Sequence, residues 1–291
     1  MKPAPFRYHA PRSRTDLLQL LAELEDARLL AGGQSLVPLL NLRLAGPAHL
    51  IDLNTVSGLD EIGMDGETLR IGAMVRQRTA EQSAAIKDRC PLLAEALGYV
   101  GHQQTRNRGT VGGSLAHMDP TAELPVVASA TEAILWLESV RGSRSLPFSE
   151  WSAGYLATRI APDEVLTRID IPCWPQGHGA AFAETTRRGE GYAVVAVAAL
   201  VLCDAGGTIS RAAIAIGGIG AAPVRATAAE RLLIGQRPDN ALIAAVASSA
   251  TSLPAEGDVS SPSEYKQHLA GVLTGRTLRT AIHRAGSGTH V

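Results

Sequence analysis

Cysteine is scarce in this chain of 291 residues: Cys90, Cys173 and Cys203 are all there is, with no CxxC or CxxH spacing. Three scattered thiols exclude a disulfide framework, a cysteine-built zinc site and an iron–sulfur cluster held by this chain. Aromatic residues make up only 4%, too few for a platform that stacks single-stranded bases. Net charge is also lacking. Lys and Arg number 27 against 28 Asp and Glu, a balance of −1, so there is no general attraction to nucleic acid or anionic membrane. The longest apolar run, Tyr192 to Cys203, has 12 residues, where a bilayer span needs roughly 20. The first residues, MKPAPFRYHAPRSR, contain no apolar segment of the secretory kind, so the reading is cytoplasmic.

What is present is a chain 45% hydrophobic and long enough for two domains. Ser13 or Thr15 can cap a helix with Leu17, Leu18, Leu20, Leu21 and Leu24 on one face, and a short strand then ends at Gly32-Gly33. Ser35 can cap a second helix, and a strand follows at 49–53. Asp65-Gly66 predicts a hairpin turn, Thr79 to Gln82 a capping box opening a helix, and Pro91 the start of another helix reaching Val100. The stretch Asn107 to Ser114 is too glycine-rich for a regular element. Helix over 121–131 and strands over 133–138 and 165–171 follow. Pro172, Pro175, Gly177 and Gly179 form a seam, beyond which come strands at 181–185, 192–203 and 211–216, then an alanine-rich helical part. The reading is a first domain over 1–177, split near 55, a second over 178–285, and a flexible tail over 286–291.

Two double-glycine turns are the candidates for chemistry: AGGQS at 31–35 and TVGGS at 110–114. Glycine permits positive φ and close approach, and free amides beside a helix start make an uncharged anion cradle. Two such cradles could hold the two phosphates of a dinucleotide, although spacing alone favours two ordinary tight turns. GxGxxG after a strand, GxxxxGK[ST] and GxSxG are all missing, which excludes a Rossmann site, a P-loop and a serine hydrolase elbow. Gly217-Gly218-Ile219-Gly220 reads as a strand end, and His117 with Asp119 as a hydrogen-bonded loop rather than a metal site. Arg106 and Arg108 could touch phosphate or brace the loop; both remain open.

AGGQSLVPLLNLRLAGPAHLIDLN at 31–54, TRNRGTVGGSLAHMDPTAELP at 105–125 and RRGEGYAVVAVAA at 187–199, in that order, resemble the FAD-binding medium subunits of molybdenum hydroxylases. That family includes the flavoprotein chains of carbon monoxide dehydrogenase, quinoline oxidoreductase and xanthine dehydrogenase. The resemblance implies an α+β fold, a two-subdomain FAD-binding domain of the vanillyl-alcohol-oxidase (PCMH) type followed by a smaller α+β C-terminal domain. It implies FAD held by Ala31, Gly32, Gly33, Gln34 and Ser35 and by Thr110, Val111, Gly112, Gly113 and Ser114, with Glu123 on the ribose or nearby FAD oxygens and Asp119 as a weaker candidate. Val100 would pack beside the cofactor, Leu166 cover the ring system and Tyr192 lie near the isoalloxazine. A lysine found near the flavin in the animal xanthine enzymes has no counterpart in Tyr-Ala-Val-Val, so acceptor preference does not transfer.

The implied function is electron transfer from two [2Fe–2S] clusters of a small subunit to FAD and on to an external acceptor. Substrate would be hydroxylated at molybdopterin on a large subunit, in a dimer of heterotrimers. No residue of this chain acts as catalytic acid or base, and none binds metal. The alternatives are a stand-alone FAD-dependent oxidoreductase of the same superfamily and a cofactor-free scaffold subunit.

Overall fold

The structure, a computed structural model, describes residues 1–189 and 191–287. It opens with β1 (Arg7–His9), α1 (Arg14–Glu23), β2 (Ala27–Leu30), α2 (Leu36–Asn41) and β3 (His49–Asp52). These strands form a small parallel sheet in the order β1-β3-β2. Of the two candidate caps for α1, Ser13 is the one used: its hydroxyl accepts from the Asp16 amide at 3.1 Å. Leu17 and Leu21 then face Ile51 and Leu53 in a small core of their own.

The second unit comprises β4 (Ile62–Asp65), β5 (Thr68–Gly72), α3 (Gln77–Gln82), α4 (Ala84–Arg89), α5 (Pro91–Leu97), α6 (Gln103–Arg108), α7 (Val111–His117), α8 (Glu123–Thr131), β6 (Ile134–Ser139), β7 (Gly142–Pro147), the short pair β8 (Ser152–Gly154) and β9 (Ala157–Thr158), and β10 (Val165–Pro172). Its antiparallel sheet runs β4-β5-β10-β6-β7. Three local expectations need correction. Arg76, not Thr79, precedes α3, so the supposed capping box lies inside the helix. α5 stops at Leu97, short of Val100. The glycine-rich stretch is not irregular either: it spans the end of α6 and the start of α7.

The remainder is β11 (Gly179–Thr186), β12 (Ala193–Cys203), β13 (Ile209–Gly217), β14 (Val224–Arg225), α9 (Thr227–Leu233), α10 (Asn240–Thr251) and α11 (Ser263–Ser287), with the strands antiparallel in that order. α11 extends through Gly286, inside the expected tail; residues 288–291 lie outside those described.

β12 explains why the apolar run of the sequence does not alternate. Val195, Val197, Ala199 and Val201 face α9–α11, whereas Ala196, Ala198 and Leu200 face the core shared with α5 and α8. A strand buried on both faces is apolar throughout. Alanine on the second face, with Gly217 on β13, lets α8 lie close: a Cβ on Gly217 would sit 2.5 Å from Val126 Cγ2.

Candidate functional site

The two glycine turns meet. Gly32 follows β2, and a Cβ there would lie 2.3 Å from the Arg108 carbonyl oxygen and 2.7 Å from Gly109 Cα. Gly33 has φ +76°, the left-handed region where a side chain is strained. From the other side, a Cβ built on Gly113 would be 3.4 Å from Ala31 Cβ. Backbone therefore runs against backbone at the junction of the two sheets.

The turns differ in what their amides do. In the second, Val111 N–H donates to Val75 O (3.0 Å), Gly112 N–H to Ala73 O (2.9 Å), Gly113 N–H to Thr110 Oγ1 (3.0 Å) and Ser114 N–H to Thr110 O (3.2 Å). The expected cradle of free amides is thus absent there: the segment is a capped helix start seated on Ala73. A Cβ on Gly112 would come within 2.5 Å of Ala73 Cβ, so this glycine serves packing. Trp151 Nε1 donates to Leu115 O at 2.8 Å and holds α7 from beneath.

In the first turn, the N–H groups of Gly33, Gln34 and Ser35 have no acceptor among the described residues, and Ser35 does not cap α2 with its side chain. Unsatisfied amides at a helix start are donors awaiting an anion. Gly33 and Gln34 border a cleft of about 410 Å³, which they line together with Ala31, Gly32, Asp52, Asn54 and Arg108. A smaller cavity of about 130 Å³ adjoins it through Asn54 and is lined by Asp60, Arg76 and Thr79.

Charge in the cleft is arranged. Asp52 accepts from the Tyr8 hydroxyl at 2.5 Å and from the Asn54 amide at 2.9 Å. Burial opposes its ionisation, but these bonds and the charge of Arg108 outweigh it and hold the carboxyl below its ordinary range. Arg76 donates to the Arg108 carbonyl and to Asn54 Oδ1, and Asn54 Nδ2 donates to the Ala31 carbonyl at 2.9 Å, which links the first turn to the residues just before the second. Burial, then the charge of Arg108, lowers the pKa of Arg76. The structure separates the two arginines the sequence left open. Arg106 braces the loop, donating to the carbonyls of Val100 and Gly101 at 2.9 Å each and pairing with Glu81. Arg108 lines the cleft with no ion pair among the described residues. Its signal was position, immediately before Gly109.

Val100 and Leu166 are core residues, 9% and 5% exposed, and neither lines the cleft. Tyr192 is 82% exposed, so it is not the packed tyrosine an isolated one usually is; its neighbour Glu190 lies outside the described residues. Asp119 closes a turn, its Oδ1 accepting from Thr121 N–H (2.8 Å) and Oγ1 (2.7 Å). Its Oδ2 lies 4.0 Å from His117 Nε2. Glu123 begins α8 and is buried; burial, with the charge of Asp119 adding, raises it to about 7. One acid escaped the sequence reading: Glu184, raised to about 8 by burial and by Glu123. Its signal was an acid at an inward position of the otherwise apolar Gly179–Phe182 alternation.

Two family descriptions match. "FAD binding domain in molybdopterin dehydrogenase" covers residues 4–174, and "CO dehydrogenase flavoprotein C-terminal domain" covers 180–281. The chain is 40% identical over 287 residues to the 6-hydroxypseudooxynicotine dehydrogenase complex subunit alpha of Paenarthrobacter nicotinovorans, covering 98% of this chain and 97% of that one. It is 37% identical to the carbon monoxide dehydrogenase medium chain of Hydrogenophaga pseudoflava, covering 98% and 99%. A chain of the crystal structure of quinoline 2-oxidoreductase from Pseudomonas putida 86 superposes with TM-score 0.94 at 36% identity, covering 98% and 99%.

Proposed function

The chain belongs to the family of FAD-binding medium subunits of the molybdenum hydroxylases, and on that premise we propose that it carries electrons from [2Fe–2S] clusters of a small partner subunit, through FAD, to an acceptor outside the complex. It is the flavoprotein subunit of a molybdenum-containing oxidoreductase, and its cofactor is FAD. Substrate is oxidised on a large molybdopterin-binding partner, and the assembly is a cytoplasmic dimer of heterotrimers. The seam near residue 177 divides the FAD-binding part from a part that docks on these partners.

The observation that carries the FAD site is the row of three amides with no acceptor among the described residues, Gly33 to Ser35, beside a cleft that also holds Arg108, which has no ion pair among them. A diphosphate needs donors and positive charge in one concave place, and these residues fit it. Bound FAD supplies redox chemistry that no side chain of the chain offers. The chain's own work is binding. The first turn donates to the diphosphate, and Arg108 neutralises it. Thr110 to Ser114 hold α7 against the first turn, so that Ala31 and Gly32 keep their place. Glu123, with Asp119 behind it, faces the ribose or nearby oxygens, Val100 and Leu166 back the site, and Tyr192 lies near the isoalloxazine.

Co-purification tests the reading. The full chain produced with its large and small partners is expected to carry stoichiometric flavin absorbance, and replacing both Gly33 and Gly113 by tryptophan is expected to abolish it. A complex with no flavin in the wild type, or with full flavin in the double variant, sinks the proposal.

A further inference from the structure

Tyr8 stands on the edge strand β1 with 55% of its surface exposed, so burial of its ring is little of what it contributes. Its hydroxyl turns inward. β1 pairs with β3 so that Tyr8 lies opposite Leu50, and the two-residue period of strands puts Asp52 on the same face. Asp52 in turn lies opposite Leu30, the last residue of β2 before the first turn. There the Tyr8 hydroxyl donates to Asp52 Oδ2 at 2.5 Å. His9 points to the other face, where its Nε2 lies 2.9 Å from His49 Nδ1. Arg7 N–H donates to Ala48 O at 2.9 Å and Thr55 Oγ1 to Pro11 O at 2.7 Å, so the strand is held at both ends.

Asp52 lines the cleft beside Arg108, and an acid on the wall of an anion site opposes its ligand unless it does something else there. Both of its oxygens are engaged. Oδ2 takes the Tyr8 hydroxyl, and Oδ1 takes the backbone N–H of Asn54 (2.9 Å) and its Nδ2 (2.5 Å). Asn54 passes the constraint on in two directions. Its Nδ2 also donates to Ala31 O at 2.9 Å, and its Oδ1 accepts from Arg76, which donates in turn to Arg108 O. One line of hydrogen bonds therefore runs from the N-terminal strand to Asn54 and there divides, to Ala31 on one branch and through Arg76 to Arg108 on the other. Oδ2 has no second donor among the described residues, and Asp52 is only 9% exposed. Without the hydroxyl, a largely buried acceptor is left unsatisfied and the carboxylate must turn to find a partner.

We propose that Tyr8 is a positioning residue of the FAD site: its hydroxyl fixes the Asp52 carboxylate, and Asp52 fixes Asn54, which sets Ala31 and Arg108 at the spacing the diphosphate requires. This rests on the reading above that FAD occupies the cleft. Asp52 is then a support of the site rather than a group that meets the ligand, which accounts for an acid beside an arginine and free amides. β1 supplies no residue to the lining of the cleft, yet it completes the site from behind.

A double-mutant cycle on FAD affinity tests this. The full chain in complex with its partners is freed of flavin, and quenching of added FAD's fluorescence gives the affinity. Tyr8→Phe is expected to weaken binding about tenfold, and Asn54→Ala by about as much or more. Beside Asn54→Ala, Tyr8→Phe is expected to cost less than about twofold further, because the line is already cut. Losses that multiply in the double variant overturn the path through Asn54. A Tyr8→Phe variant that melts earlier but binds FAD as the wild type does shows a hydroxyl serving stability alone, and overturns the role of Tyr8. If neither Asn54→Ala nor Arg108→Gln alters the affinity, the reading that FAD occupies the cleft fails; if both weaken it and Tyr8→Phe does not, only the positioning role fails. Should Tyr8→Phe not assemble, Asp52→Leu enters the same cycle, and a loss that multiplies with that of Asn54→Ala overturns the proposal.

Discussion

At the scale of single residues, the site rests on what is missing from the backbone. Gly32 lacks a side chain because the Arg108 carbonyl occupies the space where a Cβ would go. Gly32→Ala must therefore push the two turns apart, at about 1–3 kcal/mol of stability, as other overpacked positions do. We expect a lower melting temperature and reduced flavin content in the purified complex; unchanged flavin with unchanged melting would refute the close approach. Thr110→Ala removes the cap of α7, worth about 1 kcal/mol, while Thr110→Ser keeps it. Residue types and order in the two turns were legible in the sequence. Their division of labour was not, because whether an amide is free depends on Ala73 and Val75, which lie more than thirty positions away from one turn and about forty from the other.

At the scale of elements, the sequence showed the strands better than the helices near the cleft. β12 is readable as an unbroken apolar run, and the β4–β5 hairpin from its Asp-Gly. The short helix α7 was hidden, since glycine costs about 1 kcal/mol in a helix interior and so argues against one. Here that cost is accepted because Gly112 must lie on Ala73. Glu184 was hidden for a similar reason: its burial depends on the register of β11 with β12, where it stands opposite Ala196, and no local pattern carries that. The contact between α11 and β11 is as tight as that at the turns. A Cβ on Gly179 would lie 1.8 Å from the Ala281 carbonyl oxygen, on the backbone of α11. Gly179→Ala is expected to destabilise by about 1–3 kcal/mol in denaturant titration while leaving FAD affinity unchanged, because it acts on the far side of the sheet from the cleft. Loss of FAD affinity at full stability would contradict that separation.

At the scale of the whole molecule, the acids of the structure set a pH profile of stability. Glu123 and Glu184 are raised from 4.5 to about 7 and about 8. Their contribution is fully present below about pH 4.5 and is lost as pH rises through those two values. Glu81 works the other way. Burial alone would raise it, but hydrogen bonds from Arg106 and Arg78 lower it. Its contribution is present above about pH 4.5 and lost as pH falls further. The denaturant midpoint should therefore decline from mildly acid pH to about pH 8, and the double variant Glu123→Gln/Glu184→Gln should flatten that decline; a wild-type midpoint constant over the range would count against it. The shared sheet face has a further consequence during synthesis. α5 and α8 leave the ribosome long before β12 and β13, whose alanines cover them, so roughly eighty residues must be added before the core closes. The nascent chain carries an open apolar face for that whole interval. We expect the layer over α5 and α8 to close only once β12 and β13 have been made, which ties the folding of the first part to that of the second.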